Sequence, residues 1–372
     1  MHNLRRMSEY IHQNANWPHF NWDNSAIINL LSEARNLQGR LFGKMETLGF
    51  ELRDEALVET LTIDVLKSAE IEGELFHQEQ VRSSIAHKLG LDYIGVPSSD
   101  RNIDGMVDMM IDATQNCFSK LTKDRLLDWH TALFPMGKSG MFKIIVGDWR
   151  KDKNGKMQVV SGAAGKEIIH FQAPDAELIE NEMNHFISWF NEEKETDLVV
   201  KAAIAHLWFV TIHPFQDGNG RITRALSDML LARSDQSTLR FYSMSAQIRL
   251  ERKEYYEILE KTQKGNLTIT SWIQWFLSCF INALKSSDVI LSTVLNKAAF
   301  WNLHAKTIIN DRQKKMINKL LDGFDGKLTS IKWAKISKCS KDTAIRDIND
   351  LISKEILQKE SSGGRSTNYL LK

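Results

Sequence analysis

The feature that most constrains the fold is an apolar segment that leads directly into a glycine-rich loop. Leu198 to Ile212 contains only three clearly polar residues, Lys201, His206 and Thr211. This pattern predicts a helix that is buried almost all round. The loop that follows, residues 213–224, has the sequence HPFQDGNGRITR, and helical spacing resumes at its end. The rest of the chain is therefore expected to pack around this buried helix and to support the loop.

The loop combines residue types that suit the binding of a polyphosphate. Gly218 and Gly220 flank Asn219, and a glycine turn at the start of a helix leaves backbone N–H groups free to bind an anion. Arg221 and Arg224 are three residues apart on the first turn of that helix, so both guanidinium groups can project on one side. Together these residues predict a phosphate site.

Two further side chains lie at the edge of this predicted site. Asp217 offers a hard oxygen ligand that suits Mg²⁺ beside phosphates. His213, at the end of the buried helix, is a candidate general base. The alternative is a connecting loop whose glycines make a turn and whose arginines are solvated. That alternative does not explain why a histidine, an aspartate, an asparagine and two arginines meet in one turn.

At residues 213–224 the chain resembles the Fic family, whose signature is His-x-Phe-x-Asp/Glu-Gly-Asn-Gly-Arg-x-x-Arg and is matched at each defining position. The resemblance implies a mainly α-helical bundle that transfers AMP from Mg-ATP to a Ser, Thr or Tyr hydroxyl of a protein, a reaction called adenylylation. In the kinase-like branch of the family a lysine stands at the position of Gly220. The glycine in this chain therefore favours nucleotidyl transfer over phosphotransfer.

The resemblance also implies a role for each residue of the signature. His213 would take the proton of the target hydroxyl, while Asn219 and the loop N–H groups would hold the α-phosphate. Asp217 would bind Mg²⁺ that bridges the phosphates. Arg221 and Arg224 would hold the β- and γ-phosphates of the leaving pyrophosphate.

A second, shorter motif lies upstream, at the end of a predicted helix that spans Asp54 to Glu70. Ser68 and Glu72 are four residues apart and lie on one face of a helix, and Gly73 is a plausible helix terminator. In the Fic family a Ser/Thr-x-x-x-Glu-Gly/Asn run marks an inhibitory helix. Its glutamate pairs with the last arginine of the signature, here Arg224, and blocks productive binding of ATP. The alternative is an ordinary capped surface helix.

The region from Lys143 to Phe171 predicts β-structure in an otherwise helical chain. It contains β-branched residues at 144–146, an Asn-Gly turn at 154–155 and two short apolar pieces beyond that turn, which together favour a hairpin. Family members carry a hairpin flap in this place, and its edge receives the backbone of the target as an added strand. The resemblance thus implies that a target protein docks on the 157–171 hairpin. A hairpin that only covers the core is the alternative.

Two neighbouring tyrosines, Tyr255 and Tyr256, follow the signature by about thirty residues. The resemblance implies that this region supplies aromatic and apolar walls for adenine, so both are expected to be ATP-binding residues. The alternative is that they are ordinary core or surface tyrosines.

The last part of the chain, residues 310–372, predicts three helices and then a glycine-tipped hairpin, an order that resembles a winged helix-turn-helix domain. This part holds 14 Lys and Arg against 8 Asp and Glu. The third helix, which would be the recognition helix, also carries Asp342, Asp347 and Asp350, a poor face for contact with phosphates. DNA is therefore an open partner, but it is not favoured over protein contacts or domain packing.

Length and composition limit the remaining possibilities. A chain of 372 residues is long enough for two or three domains. The resemblance implies a helical region at 1–100 with an inhibitory helix at about 54–73, a catalytic domain at 101–305 and the C-terminal domain at 310–372. A net charge of +1 predicts no bulk attraction to nucleic acid or membrane. The longest apolar stretch, Trp272 to Leu284, falls short of the roughly 20 residues that span a bilayer. Three scattered cysteines and the lack of an apolar N-terminal signal favour the cytoplasm.

Two other functions stay open beside adenylylation. In the first, also enzymatic, Glu72 would orient a water that removes AMP from a modified hydroxyl. In the second, the Fic-like part would sense ATP while the C-terminal domain binds a DNA operator. The sequence does not name the target protein, and both self-modification and a homodimer stay open.

Overall fold

The structure is a computed structural model, and it describes most of the chain as two compact units, Met1–Asp288 and Val289–Lys372. The described residues are 10–46, 50–91, 100–152, 155–162, 166–321, 323–324, 326–360 and 367–372. The predicted mainly α-helical fold is confirmed. Within the described residues, no helix is both long enough and apolar enough to cross a membrane.

The helices make up most of the described chain. They are α1 (Asn24–Glu46), α2 (Phe50–Ile71), α3 (Gln78–Lys88), α4 (Arg101–Gln115), α5 (Lys123–Leu133), α6 (Ile179–Glu192), α7 (Leu198–Ile212), α8 (Asn219–Asp235), α9 (Met244–Leu250), α10 (Arg252–Gln263), α11 (Thr270–Leu303), α12 (Asp311–Leu321), α13 (Ser330–Ile336) and α14 (Lys341–Ser353). The strands form antiparallel pairs: β1 (Lys138–Ser139) with β2 (Phe142–Lys143), β3 (Gln158–Ser161) with β4 (Ile168–Gln172), and β5 (Leu357–Lys359) with β6 (Tyr369–Leu371). The longest segment between two of the helices separates α5 from α6, and its described part contains the four short strands β1 to β4.

The predicted central helix, α7, has the bounds that its apolar pattern indicates, and all of its residues after Leu198 are buried. Helix α8 packs along it. The buried side chains of Lys201, His206 and Thr211 in α7 all have hydrogen-bond partners. Thr211 donates to the carbonyl of Leu207 at 2.6 Å, and Lys201 pairs with Glu193. Because α7 sits in the core, its C-terminal end and the loop that follows are held rigidly.

Helix α2 reaches the same place from another side, and it packs against α8. The helix ends in a compact turn in which Gly73 has the left-handed φ of +84°. The N–H of Gly73 donates to the carbonyl of Glu70 at 3.1 Å, and the N–H of Glu74 donates to the carbonyl of Ala69 at 3.0 Å. This pair of bonds is the Schellman motif, in which glycine is favoured because it has no Cβ. The predicted terminator at Gly73 is therefore present.

One local prediction differs from the structure, and two helices begin at caps that were not predicted from the sequence. The β-branched residues 144–146 are not in a strand, because the N–H of Ile145 donates to the side-chain oxygen of Gln216 at 2.6 Å and not to a neighbouring strand. Helix α4 begins at Arg101, since the Asp100 carboxylate accepts from the N–H of Asn102 and caps that helix. Helix α9 was not predicted; the Ser243 hydroxyl caps it. Residue 154 of the predicted Asn-Gly turn lies outside the described residues.

The predicted hairpin is present as β3 and β4. Their register runs from Gln158 opposite Gln172 to Ser161 opposite Ile168, with a bulge between Val159 and Val160. All four residues of β3 are exposed. The hairpin is tied to α10 through His170, whose Nδ1 lies 2.7 Å from Glu260 Oε2. Residues 163–165, between the strands, lie outside the described part of the chain.

The second unit contains α12 to α14, β5 and β6, in the order predicted for residues 310–372, and it has its own core around Trp333, Ile348 and Leu351. Ser340 caps α14, accepting from the N–H of Thr343 at 3.1 Å. Asp347 is buried and bound by Arg312, so it does not weaken an exposed face. The glycine-rich segment 361–364 lies outside the described residues, and the winged-helix interpretation stays a prediction.

Candidate active site

His213 ends α7 in the left-handed conformation, with φ 53° and ψ 57°. Its Nδ1 lies 3.1 Å from the carbonyl of Val210. Because a carbonyl can only accept, Nδ1 must carry the proton, and Nε2 is left to accept one. Burial lowers the pKa of His213 to about 4, since a charged imidazole is poorly solvated there. The side chain is therefore a neutral imidazole at neutral pH, as a general base must be.

Arg150 fixes the backbone on which His213 stands. Its guanidinium Nε donates to the carbonyl of His213 at 2.8 Å, and its own backbone N–H donates to the carbonyl of Pro214 at 2.8 Å. The same guanidinium reaches the carbonyl of Pro174 at 2.5 Å and pairs with Asp152. Arg150 is buried, so these bonds join the histidine to the start of the α6 region. No motif in the sequence indicated this residue.

Asn219 closes the loop that follows. Its Oδ1 accepts from the N–H of Phe215 at 2.9 Å, and its Nδ2 donates to the carbonyl of Phe215 at 2.8 Å. The Phe215 ring in turn stacks on His130, with 4.0 Å between ring centroids. The oxygen and one N–H of the amide are therefore committed to the loop backbone, and the second N–H of Nδ2 is left for a ligand. The role of Asn219 beside the loop N–H groups in holding the α-phosphate stays a prediction.

Both glycines of the loop lie close to neighbouring side chains, and Gly218 also has a backbone conformation that favours glycine. Gly218 has φ +83°, and a Cβ there would lie 2.9 Å from Cε2 of Phe134. A Cβ on Gly220 would lie 2.3 Å from Oε1 of Glu72. Any larger residue at position 220 would therefore push against the carboxylate that comes from the end of α2.

Asp217 is the predicted metal ligand, and its side chain is 41% exposed. Its Oδ1 accepts from the N–H of Gly218 at 2.5 Å, and its Oδ2 accepts from the hydroxyl of Ser139. Mg²⁺ in nucleotide sites commonly takes one or two protein carboxylates and completes its shell with water and phosphate oxygens. A single accessible carboxylate beside a phosphate site fits that requirement.

Arg224 meets the predicted inhibitory motif. Its Nε donates to the hydroxyl of Ser68 at 2.7 Å, and its Nη2 donates to the carbonyl of Ser68 at 3.0 Å and to Oε1 of Glu72 at 2.8 Å. The arginine side chain is only 2% exposed. The structure thus brings together the three residues that the sequence linked across more than 150 positions.

Arg221 has a carboxylate partner that the sequence did not indicate. Its Nη1 lies 3.0 Å from both carboxylate oxygens of Glu74. Its Nη2 lies 3.6 Å from Asp217, and its guanidinium lies over the ring of Phe134 at 4.9 Å. The only signal in the sequence is a second glutamate two positions after Glu72. Glu74 can be recognised as a partner of Arg221 only from the geometry of the turn at the end of α2.

The two tyrosines have different environments. Tyr255 is buried, and its hydroxyl lies 3.0 Å from Nε2 of His206, whose Nδ1 lies 2.9 Å from the hydroxyl of Ser227. It is a core residue that links α10 to α7 and α8, and this corrects its prediction as an ATP-binding residue. Tyr256 is 40% exposed, and its ring lies beneath Arg252. Of the two, only Tyr256 presents a surface to a ligand.

The fold and the site together define a helical domain with two buried arginines beside a glycine loop, and comparisons with known proteins show which family has this arrangement. Residues 120–231, which include the whole loop, match the Fic/DOC family, and residues 10–91 match a domain of unknown function, DUF4172. The chain therefore contains a Fic/DOC-family domain.

Curated relatives and solved structures resemble different lengths of the chain. It is 29% identical over 99 residues to a probable protein adenylyltransferase of Aquifex aeolicus (strain VF5), covering 27% of this chain and 28% of the relative. It is 35% identical over 99 residues to the protein adenylyltransferase Fic of Aedes aegypti, covering 26% and 18%. The chain thus spans less than a third of the length of these relatives. The crystal structure of a Fic family protein from Desulfovibrio desulfuricans G20 has the same fold, with a TM-score of 0.52, 21% identity, and coverage of 93% of this chain and 96% of that one.

Proposed function

We propose that the protein is an adenylyltransferase that transfers AMP from Mg-ATP to a Ser, Thr or Tyr hydroxyl of a protein. The observation that carries this proposal is the pair of buried arginines, Arg221 and Arg224, each bound by a carboxylate at hydrogen-bond distance. Buried guanidinium groups that hold oxyanions are suited to hold phosphates. A neutral histidine, His213, precedes them on the same loop.

The residues of this chain divide the reaction among them. The target hydroxyl oxygen would form a bond to the α-phosphorus of ATP while the bond to the bridging α,β-oxygen breaks and pyrophosphate leaves. Nε2 of His213 would accept the hydroxyl proton. Backbone N–H groups at the start of α8 would hold the α-phosphate oxygens as charge develops on them. Arg221 and Arg224 would hold the leaving pyrophosphate.

Asp217 would hold Mg²⁺ beside these groups, and when bound the ion would neutralise phosphate charge. The hydrogen bond from Ser139 and the N–H of Gly218 orient the Asp217 carboxylate. They leave its remaining lone pairs for the metal.

The rate of transfer should not change near pH 6.5. Because burial lowers the pKa of His213 to about 4, its proton-accepting form is present throughout the neutral range and is lost only as the pH falls through about 4. The profile of kcat/KM against pH reports the free enzyme. It should be measured with saturating Mg²⁺, which keeps the terminal phosphate of ATP ionised although a free phosphate titrates near about pH 6. An inflection near 6.5 would argue against His213 as the base.

The hairpin is proposed to receive the target. Val159, Val160, Ile168 and Ile169 are each at least 37% exposed, and in the described residues β3 pairs only with β4. An exposed strand with an unpaired edge can bind an extended peptide as an added strand.

Val160→Pro should therefore impair modification of a protein target more than it impairs ATP binding. Proline removes a backbone donor and fixes φ, whereas Val160→Ala keeps the backbone and removes only a half-exposed side chain. Labelled AMP on the target and the Kd of ATP should be measured for both variants. Unchanged modification by the proline variant would make the hairpin a structural cover.

The function itself is tested with purified protein, Mg²⁺, cell lysate and ATP labelled on either the α- or the γ-phosphate. Transfer of AMP deposits the α-label and not the γ-label, and mass spectrometry then locates the added AMP group. Deposition of the γ-label would identify phosphotransfer. Loss of label from a premodified target, without any forward transfer, would identify the reverse reaction instead.

A further inference from the structure

Two carboxylates, and not one, face the predicted phosphate site. Glu72 binds Arg224, as the motif predicts, and Glu74 binds Arg221 with both of its oxygens. The Arg221 side chain is only 4% exposed. A buried guanidinium requires an anion close to it, so the space in front of Nη1 is held either by Glu74 or by another anion.

A single turn delivers both carboxylates. Glu72 and Glu74 lie on either side of Gly73, whose left-handed backbone turns the chain across the N-terminal end of α8. The two hydrogen bonds to the carbonyls of Ala69 and Glu70 fix this turn. The two carboxylates therefore contact α8 at points one helical turn apart. This is also the spacing of Arg221 and Arg224 along α8.

We propose that Glu74 is a second inhibitory carboxylate, which competes with a nucleotide phosphate for Arg221 as Glu72 competes for Arg224. This inference rests on the proposed function for the identity of the phosphates. The β-phosphate is assigned to Arg221 and the γ-phosphate to Arg224, so the two glutamates oppose different parts of the nucleotide. Glu72 opposes a group that only ATP carries, whereas Glu74 opposes a group that ADP and ATP share.

The two arginines differ in the bonds that each keeps when its glutamate is removed. Without Glu72, Arg224 still has both bonds to Ser68. Without Glu74, the nearest described carboxylate to Arg221 is Asp217 at 3.6 Å, and Asp217 is also the predicted metal ligand. Removal of Glu74 therefore leaves Arg221 the more poorly compensated of the two cations, and the more ready to bind a phosphate.

The test is the Kd of ADP and of ATP, each with Mg²⁺, measured by calorimetry on the full chain. Glu74→Gln keeps the size of the side chain and removes its charge. It should lower the Kd of ADP and the Kd of ATP by about tenfold each, the factor that corresponds to one charged hydrogen bond. Glu72→Gln should lower the Kd of ATP and leave the Kd of ADP unchanged. The double variant should combine both effects.

The matched control is Glu195→Gln, an exposed glutamate at the opposite end of α7, which should leave both Kd values unchanged. Equal thermal melts exclude a folding defect. If Glu74→Gln leaves the Kd of ADP unchanged while Glu72→Gln lowers the Kd of ATP, the proposed role of Glu74 is wrong. The proposed nucleotide site is then still supported. If the double variant binds neither nucleotide, the proposed function and this inference both fall. Because the readout is binding, an absence of AMP transfer alone would count only against the proposed function.

Discussion

His213→Ala should lower the rate of AMP transfer by about 10²- to 10⁴-fold, the usual contribution of a general base. The binding of ATP should stay close to that of the wild type, because the imidazole is proposed to act on the incoming hydroxyl and not to hold a phosphate. Its Nδ1 is occupied by the carbonyl of Val210, so only Nε2 is available for proton transfer. The rate at saturating ATP and the Kd of ATP, measured side by side, separate these two effects.

The backbone at this position calls for a second variant. His213 has φ 53°, a region that alanine adopts at a cost and asparagine adopts more readily. His213→Asn therefore removes the base with less strain on α7, and it should be as inactive as His213→Ala. His185→Ala, at an exposed histidine of α6, is the matched control and should be fully active. Near-normal transfer by both position-213 variants would refute the assignment of the base.

The sequence predicted best those elements whose cause is local. The bounds of α7 follow from an unbroken apolar run, and α14 begins where Ser340 can cap it. The loop geometry is also local, since Gly218 must adopt a positive φ at the start of α8. These features depend on neighbours in the chain, so a pattern of residues is enough to reveal them.

The errors have tertiary causes. Ile145 belongs to a β-branched run, yet its N–H bonds to the side chain of Gln216, about seventy residues away, so strand propensity does not decide its structure. Tyr255 has a hydroxyl that looks available in the sequence, but the fold supplies His206 as its partner. Which polar group is free to bind a ligand is a property of the packed molecule.

The residues that were missed have the same explanation. Arg150 orients His213 across 63 positions of sequence, and Glu74 reaches Arg221 across 147. Neither lies in a motif, because each acts through the shape of a turn or a buried carbonyl. The inhibitory motif could be found beforehand only because the resemblance linked Glu72 to Arg224.

Glu72→Gly should raise AMP transfer, by about ten- to a hundredfold if the contact with Arg224 is worth the 1.5–3 kcal/mol typical of hydrogen bonds to charged groups. The Glu72 carboxylate lies 2.8 Å from Nη2 of Arg224, where it puts negative charge in the place proposed for the γ-phosphate. It also contacts the position of Gly220, where a Cβ would lie 2.3 Å from it. ATP could then bind only with its phosphates displaced from the loop.

Glu72→Gly should raise the rate of AMP transfer without a matching change in thermal stability. Glu72 is 30% exposed, so water can take the place of its carboxylate, while Arg224 keeps both bonds to Ser68. Arg224→Ala should not mimic Glu72→Gly, because it removes the phosphate partner together with the inhibitory contact. Label incorporation should be compared at equal ATP and equal protein, with thermal melts of each variant. If Glu72→Gly incorporates the same amount of label as the wild type or less, Glu72 is not inhibitory, and Ser68 to Gly73 is an ordinary helix end.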